Sequence, residues 1–242
     1  MALCSGALVA PKVVLTAGHC VHGWDGWSAE APYASAQTAT GEEGATFDWS
    51  AESADVDPTM HDIGLVFLTA PITLASYPSI AKKRVPFGSK VENIGRIHDG
   101  KPSFSKAFIG QPVTVADGKI VGFPFSYAAT EIIESGDSGG PVVRPGTHEI
   151  VAVNSGAGNG LEVLARTDLV AGWIDKQIEA HGGATPGSGD GATSSCGSLT
   201  FAGRCAGDTV KWCEDEMPRE SDCAATGRSC KYDKTHRYYD CL

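Results

Sequence analysis

Ser138 sits in "ESGDSGGPVV" (134–143), two residues after Gly136 and directly before Gly139 and Gly140. A serine hydroxyl attacks a carbonyl at neutral pH only when a base takes its proton and an acid orients that base. Glycine and serine are also ordinary turn chemistry, so the stretch alone admits a nucleophile or a plain turn. The rest of the chain must supply a histidine and an acid. His19, in "VVLTAGHCV", directly follows a predicted strand, and Asp62, in "MHDIGLVFL", leads straight into an apolar one. An acid abutting a buried strand is itself partly buried, as a carboxylate that stabilises an imidazolium must be. Other readings stand beside these. His19 could join Cys20 and His22 as a zinc ligand, and Asp62 could simply cap its strand. His22, His61, His98, His148, His181 and His236 read as surface histidines.

The elements that must position these residues are mostly strands. "GALVA", "KVVLTA", "DIGLVFL", "SKVENIG", "QPVTVA", "GKIVGF", "GGPVVR", "HEIVAVNSG" and "LEVLAR" are short apolar runs between turn signals. One helix is expected in "TDLVAGWIDKQIEAHGG", with Leu169, Val170, Trp173, Ile174 and Ile178 on one face. Thr167 or Asp168 would cap its start and Gly182 would stop it. The expected fold is therefore all-β, a barrel or sandwich with one C-terminal helix.

Three segments follow from composition: a strand-rich domain with one terminal helix over 1–181, a Gly/Ser-rich linker over 182–195 and a six-cysteine module over 196–242. The linker has no large apolar residue and cannot bury a core. The net charge of −10 argues against nucleic acid and anionic membranes as partners. No apolar run approaches the ~20 residues of a membrane span. Cys196, Cys205, Cys213, Cys223, Cys230 and Cys241 fall within the last 47 residues and read as a disulfide framework, hence an oxidising compartment. Their spacings do not form the paired two-residue pattern of a zinc ribbon.

Taken in order, "CSGALVAPKVVLTAGHC", "HDIGLVFL" and "GDSGGPVV" resemble the three motifs of trypsin-like (chymotrypsin-fold) serine proteases, of the bacterial type. The resemblance covers about 1–181. It implies two six-stranded Greek-key β-barrels, the first incomplete, and a C-terminal helix. It implies that Ser138 attacks a peptide or ester carbonyl, that His19 is the base and that Asp62 fixes its tautomer. The N–H groups of Gly136 and Ser138 would form the oxyanion hole, and Cys4 and Cys20 would be the disulfide bracing the histidine. No cofactor or metal is implied.

The same resemblance places Ile132, Asn154, Ser155, Gly156 and Glu162 around the substrate pocket. Ile132 stands where a trypsin carries aspartate, which favours an apolar or small side chain before the scissile bond. Glu162 near the pocket floor could instead attract Lys or Arg, or be a solvated loop glutamate. Gly156 and Gly158 would leave the pocket mouth open. Asn154 sits where the family has a serine beside the catalytic acid, and Glu134 takes the place of a family cysteine. The family's processed N-terminus would pair with Asp137. This chain begins at the strand before His19, so the expectation is a fragment of a longer secreted precursor or a shortened, inactive relative. Asp137 would then stay exposed, protonate or find another cation.

The sequence thus predicts a secreted, monomeric serine endopeptidase acting on proteins or peptides. The competing reading is a catalytically impaired protease-like scaffold that binds through its Cys-rich module. In that module, Trp212, Tyr238 and Tyr239 are either a platform for a surface or glycan ligand or simply its small core.

Overall fold

Period-two burial builds the first sheet. In the computed structural model, which describes residues 3–31, 37–50, 56–102, 108–109, 112–182, 203–214, 217–233 and 238–242, five strands run in the order Ala7–Ala10, Val13–Thr16, Gly64–Leu68, Gln37–Thr46, Trp27–Ala31. Val13 and Leu15 face one core together with Leu65 and Phe67. Val14 faces the opposite side, where Val66 and Leu68 pack with Val21 and Ile72. Alternate side chains of one strand point to opposite faces, so the central strands are apolar throughout because both faces are covered.

The second sheet runs Lys90–Gly95, Pro141–Val143, Glu149–Gly158, Leu161–Arg166, Ser126–Thr130. One further stretch closes it into a barrel. Val113–Thr114 pairs with Lys90–Gly95, and Ala116–Asp117 pairs with Ser126–Thr130. The strand 113–117 thus joins the two ends and removes the open edges. The interior holds Val91, Val115, Tyr127, Val142, Val151 and Leu164. A separate core between the two barrels and the helix includes Leu15, Leu65, Ile150, Val153, Val170 and Ile174. The architecture is that of the chymotrypsin fold: five described strands form the first barrel, and the second is built from the stretches named, with the short strands Ser79–Ile80 and Phe108–Ile109 added on Glu149–Gly158 and Lys90–Gly95.

Several local expectations change. "GKIVGF" is a 3₁₀ turn over Gly118–Val121, because the Asp117 side chain accepts from the Lys119 amide and Gly122 ends it at φ 88°; Ile120 is left exposed. Strands Trp27–Ala31 and Gln37–Thr46 form where no apolar run marks them. The helix spans Ala171–His181 without a side-chain cap. Thr167 Oγ1 donates to Ile150 O instead, and Asp168 binds Arg166 at 2.7 Å, so neither is free to cap. Leu169 is exposed, while Val170 is buried.

The chain divides into two compact units, Met1–Thr185 and Pro186–Leu242. The expected linker lies largely outside the described residues. The second unit has a three-stranded sheet, Arg204–Ala206, Thr209–Glu214, Met217–Asp222, and a hairpin, Cys230–Asp233 with Tyr238–Cys241. Cys205–Cys230 and Cys223–Cys241 staple hairpin to sheet. Only Val210 and Cys223 are buried among its described apolar residues, so covalent links do the work that a core does elsewhere.

Tyr127 is fully buried, and its hydroxyl accepts from the Val85 amide at 2.8 Å. Tyr127→Phe strands that N–H in the interior and is expected to cost about 1–3 kcal/mol. Urea unfolding followed by tryptophan fluorescence reads the loss; an unchanged midpoint would contradict this account of the bond.

Candidate active site

Asp62 is the best-tied side chain in the first unit. It is 1% exposed and sits at φ 51°, a left-handed conformation unusual for a residue with a side chain. Its carboxylate accepts from the His19 main-chain N–H at 2.9 Å, from His19 Nδ1 at 3.0 and 3.1 Å, and from Ser155 Oγ at 2.5 Å. A buried carboxylate needs such donors, and three from two distant segments, residues 19 and 155, hold His19 against the acid. Gly18 permits the approach, since a Cβ there would lie 2.8 Å from Trp49 Cβ and 3.2 Å from Asp62 Oδ1. The serine that borders Asp62 is therefore Ser155, not residue 154. Asn154 points away and donates from Nδ2 to Asp137 O. Ser155 lies within the register shift between Asn154 and Gly156.

The loop carrying Ser138 docks against Ser5, just before strand Ala7–Ala10. Ser5 N–H donates to Ser138 O at 2.8 Å, and Ser5 Oγ donates to Gly136 O at 2.9 Å. Thr16 Oγ1 donates to Ser5 O, and the Cys4–Cys20 disulfide locks the same corner. With both sulfurs bonded to each other, Cys20 offers no thiolate to a metal. Gly139 sits at φ 80°, where a Cβ would overlap Thr16 Oγ1 and come within 2.5 Å of Ser5 O. Ser138 itself is half-exposed. Its hydroxyl makes no hydrogen bond to a described residue, and catalytic hydrogen bonds often tighten only when substrate arrives. The N–H groups of Gly136 and Ser138 also donate to no described residue, while those of Asp137, Gly139 and Gly140 are used. That leaves two donors, one of them on Gly136 at φ 102°, available for a developing negative charge.

Asp137 does not stay exposed. It is 4% exposed, yet its carboxylate is held by main-chain donors: Arg96 N at 2.8 Å, Ile97 N at 3.1 Å and Glu134 N at 3.2 Å. Glu134 repeats the device, accepting from Asp99 N at 3.1 Å and Gly100 N at 2.7 Å. Two carboxylates therefore lash the loop before Ser138 to the turn at 96–100.

Glu162 is neither solvated nor open to a substrate. It is fully buried, with Oε1 accepting from Asn93 Nδ2 at 2.8 Å and Oε2 from Ile132 N at 3.0 Å. Its oxygens are consumed in holding the 131–133 segment. Ile132 is 36% exposed beside it. The space above Gly156 is filled by Val56, so only Gly158 keeps an open flank. Sequence reasoning also missed Ser5, Asp48 and Trp49, none of which carries a motif. His61 is not a surface histidine: its side chain is 16% exposed and pairs with Asp48. In the second unit, Trp212 and Tyr239 are half-buried and Tyr232 meets Tyr239 edge to face at 5.1 Å. Tyr238's side chain lies outside the described residues.

Burial pushes the Glu162 carboxyl above its ordinary range, against the opposing pull of the Ile132 amide and the Asn93 side chain. A raised folded-state value means the folded protein holds the proton more tightly than the unfolded chain. The resulting stabilisation is complete below the unfolded value and disappears as pH rises through the folded one. Glu162→Gln keeps an acceptor for Ile132, and a flipped Asn93 can offer its unpartnered Oδ1 to the new amide. Relative to the variant, wild-type melting temperature is expected to fall as pH rises from 4 to 7. Scanning fluorimetry tests this, and parallel pH curves for the two proteins would refute it. At Gly139, substitution by Ala combines a positive φ with overlap on Thr16 and is expected to cost about 2 kcal/mol or more, read by the same unfolding assay.

Residues 1–106 match the sequence model of the family described as Trypsin. Solved structures of similar fold include a scabies mite inactivated protease paralogue, at 20% identity and TM-score 0.59, covering 73% of this chain and 88% of that one. Neuropsin, a serine protease expressed in the limbic system of mouse brain, matches at 20% identity and TM-score 0.59, covering 73% and 89%. Human heparin binding protein matches at 22% identity and TM-score 0.56, covering 77% and 89%. No curated protein matches the chain at a significant level.

Proposed function

We propose that this chain, trypsin-like in its first 106 residues and chymotrypsin-like in fold, is a secreted serine endopeptidase. The observation that carries the reading is the Asp62 carboxylate, buried and gripping His19 by both its main-chain N–H and its ring. In this reading Ser138 Oγ attacks the scissile carbonyl, and His19 Nε2, the ring nitrogen not engaged by Asp62, takes the proton. Asp62 holds the ring in one tautomer and stabilises the imidazolium that forms. The N–H groups of Gly136 and Ser138 receive the oxyanion. Collapse of the tetrahedral intermediate expels the amine, protonated by His19, and water then releases the acyl group from Ser138 by the same proton path. The S–S bonds of both units favour an extracellular setting.

The pocket chemistry supports an apolar or small residue before the scissile bond. Ile132 is apolar and partly exposed, and the Glu162 carboxylate is already satisfied by Asn93 and Ile132. A fluorophosphonate probe is expected to label Ser138 in the full chain. Ser138→Ala abolishes labelling, and His19→Ala lowers peptide hydrolysis by about 10³-fold or more. Wild-type protein that takes no label would overturn the assignment. In a peptide-library digest, cleavage after apolar residues should survive Glu162→Gln unchanged. A Lys or Arg preference lost in that variant would reverse the pocket reading.

A further inference from the structure

Directly before Asp62 the chain repeats its histidine–aspartate device. His61 N–H donates to Asp48 Oδ1 at 2.9 Å, and His61 Nδ1 meets Asp48 Oδ2 at 2.6 Å. This is the same two-point grip by which Asp62 holds His19, one main-chain N–H and one ring nitrogen on a single carboxylate. The His61 ring also stacks on Phe125 at 4.1 Å and 22°, and meets Phe47 edge-on at 4.9 Å. Phe47 in turn packs edge-on against Trp173 of the helix at 5.7 Å. His61 is therefore fixed between the first barrel, the second barrel and the helix.

We propose that Asp48 and His61 are positioning residues for the triad, an inference that rests on reading His19, Asp62 and Ser138 as one. Two links carry it. His61 shares a peptide bond with Asp62, whose φ of 51° persists only where the surroundings enforce it. Asp48 shares a peptide bond with Trp49, which is 2% exposed, lies against Gly18 and sits 6.0 Å from the His19 ring. The Asp48 carboxylate thus ties residues 48–49 to residues 61–62, and both pairs border His19. Thr46 Oγ1 to Trp49 O at 3.0 Å and Phe47 N to Ile63 O at 3.0 Å complete the clasp on either side. An exposed ion pair alone would contribute little. Here the main-chain bond and the aromatic enclosure make the pair a geometric constraint, and small misplacements of a catalytic group cost large rate factors.

The experiment uses the full chain with His61→Phe, which keeps the ring packing between Phe125 and Phe47 but removes the nitrogen that meets Asp48. Asp48→Ala removes the acceptor, and Asp48→Asn restores a neutral one. Asp175→Ala, which breaks the exposed Lys82–Asp175 pair at 2.6 Å, serves as a control. The expected result is a 10- to 100-fold fall in kcat for His61→Phe and Asp48→Ala with KM within twofold. Asp48→Asn should recover most of that loss, and Asp175→Ala should show none. The His19 ring resonances, followed by NMR of histidine-labelled protein, should shift or broaden in the two damaging variants. Unchanged kcat in both variants, or a loss in KM alone, would overturn the proposal. If wild type takes no fluorophosphonate, the triad reading fails separately. The NMR arm then decides the positioning, and an unmoved His19 resonance in folded His61→Phe rejects it.

Discussion

A carboxylate taken out of water must be given donors, and this fold uses that obligation to tie distant segments together. Asp62 gathers residue 19 and residue 155. Asp137 gathers residues 96, 97 and 134. Glu162 gathers Asn93 and residue 132. Each lies where apolar packing alone could not choose one geometry, because hydrophobic contact is non-directional. Hydrogen bonds to a charged acceptor are directional and strong, so the acids set angles within a scaffold whose cohesion comes from its cores. The cost is that each acid depends on all its donors at once, since removing a partner leaves an exposed obligation in the interior.

How much of this was legible depends on the range of the signal. The branched aliphatic runs at 13–16, 64–68, 149–158 and 161–166 mark strands because both of their faces are buried. Gln37–Thr46 carries small and polar residues and becomes a strand only through its two neighbours; nothing local announces that. "GKIVGF" has strand composition, but Asp117 and Gly122 bracket it with turn chemistry. At the site, the motif order of His19, Asp62 and Ser138 was visible in the chain. The hydroxyl partner of Asp62 is Ser155, one residue beyond the position that the resemblance marks, and only the fold shows it. The Asp48–His61 pair spans thirteen positions with no motif and requires the fold to be seen.

The two units solve the problem of size differently. The first has three apolar clusters and needs its disulfide at one corner only. The second has almost no buried apolar residues among those described, and two disulfides hold its hairpin to its sheet. Reducing conditions would therefore act on them unequally, since a chain-entropy constraint matters most where little else opposes unfolding.

Gly139 has a mechanical consequence. With no side chain, it lets the loop of residue 138 lie flush on the backbone of residues 5 and 16, and Ser5 bonds both Ser138 O and Gly136 O. The strand that leads into His19 and the loop that carries Ser138 are thereby one rigid plate, although they belong to different barrels. A displacement of either segment must therefore break these bonds or carry the other segment with it.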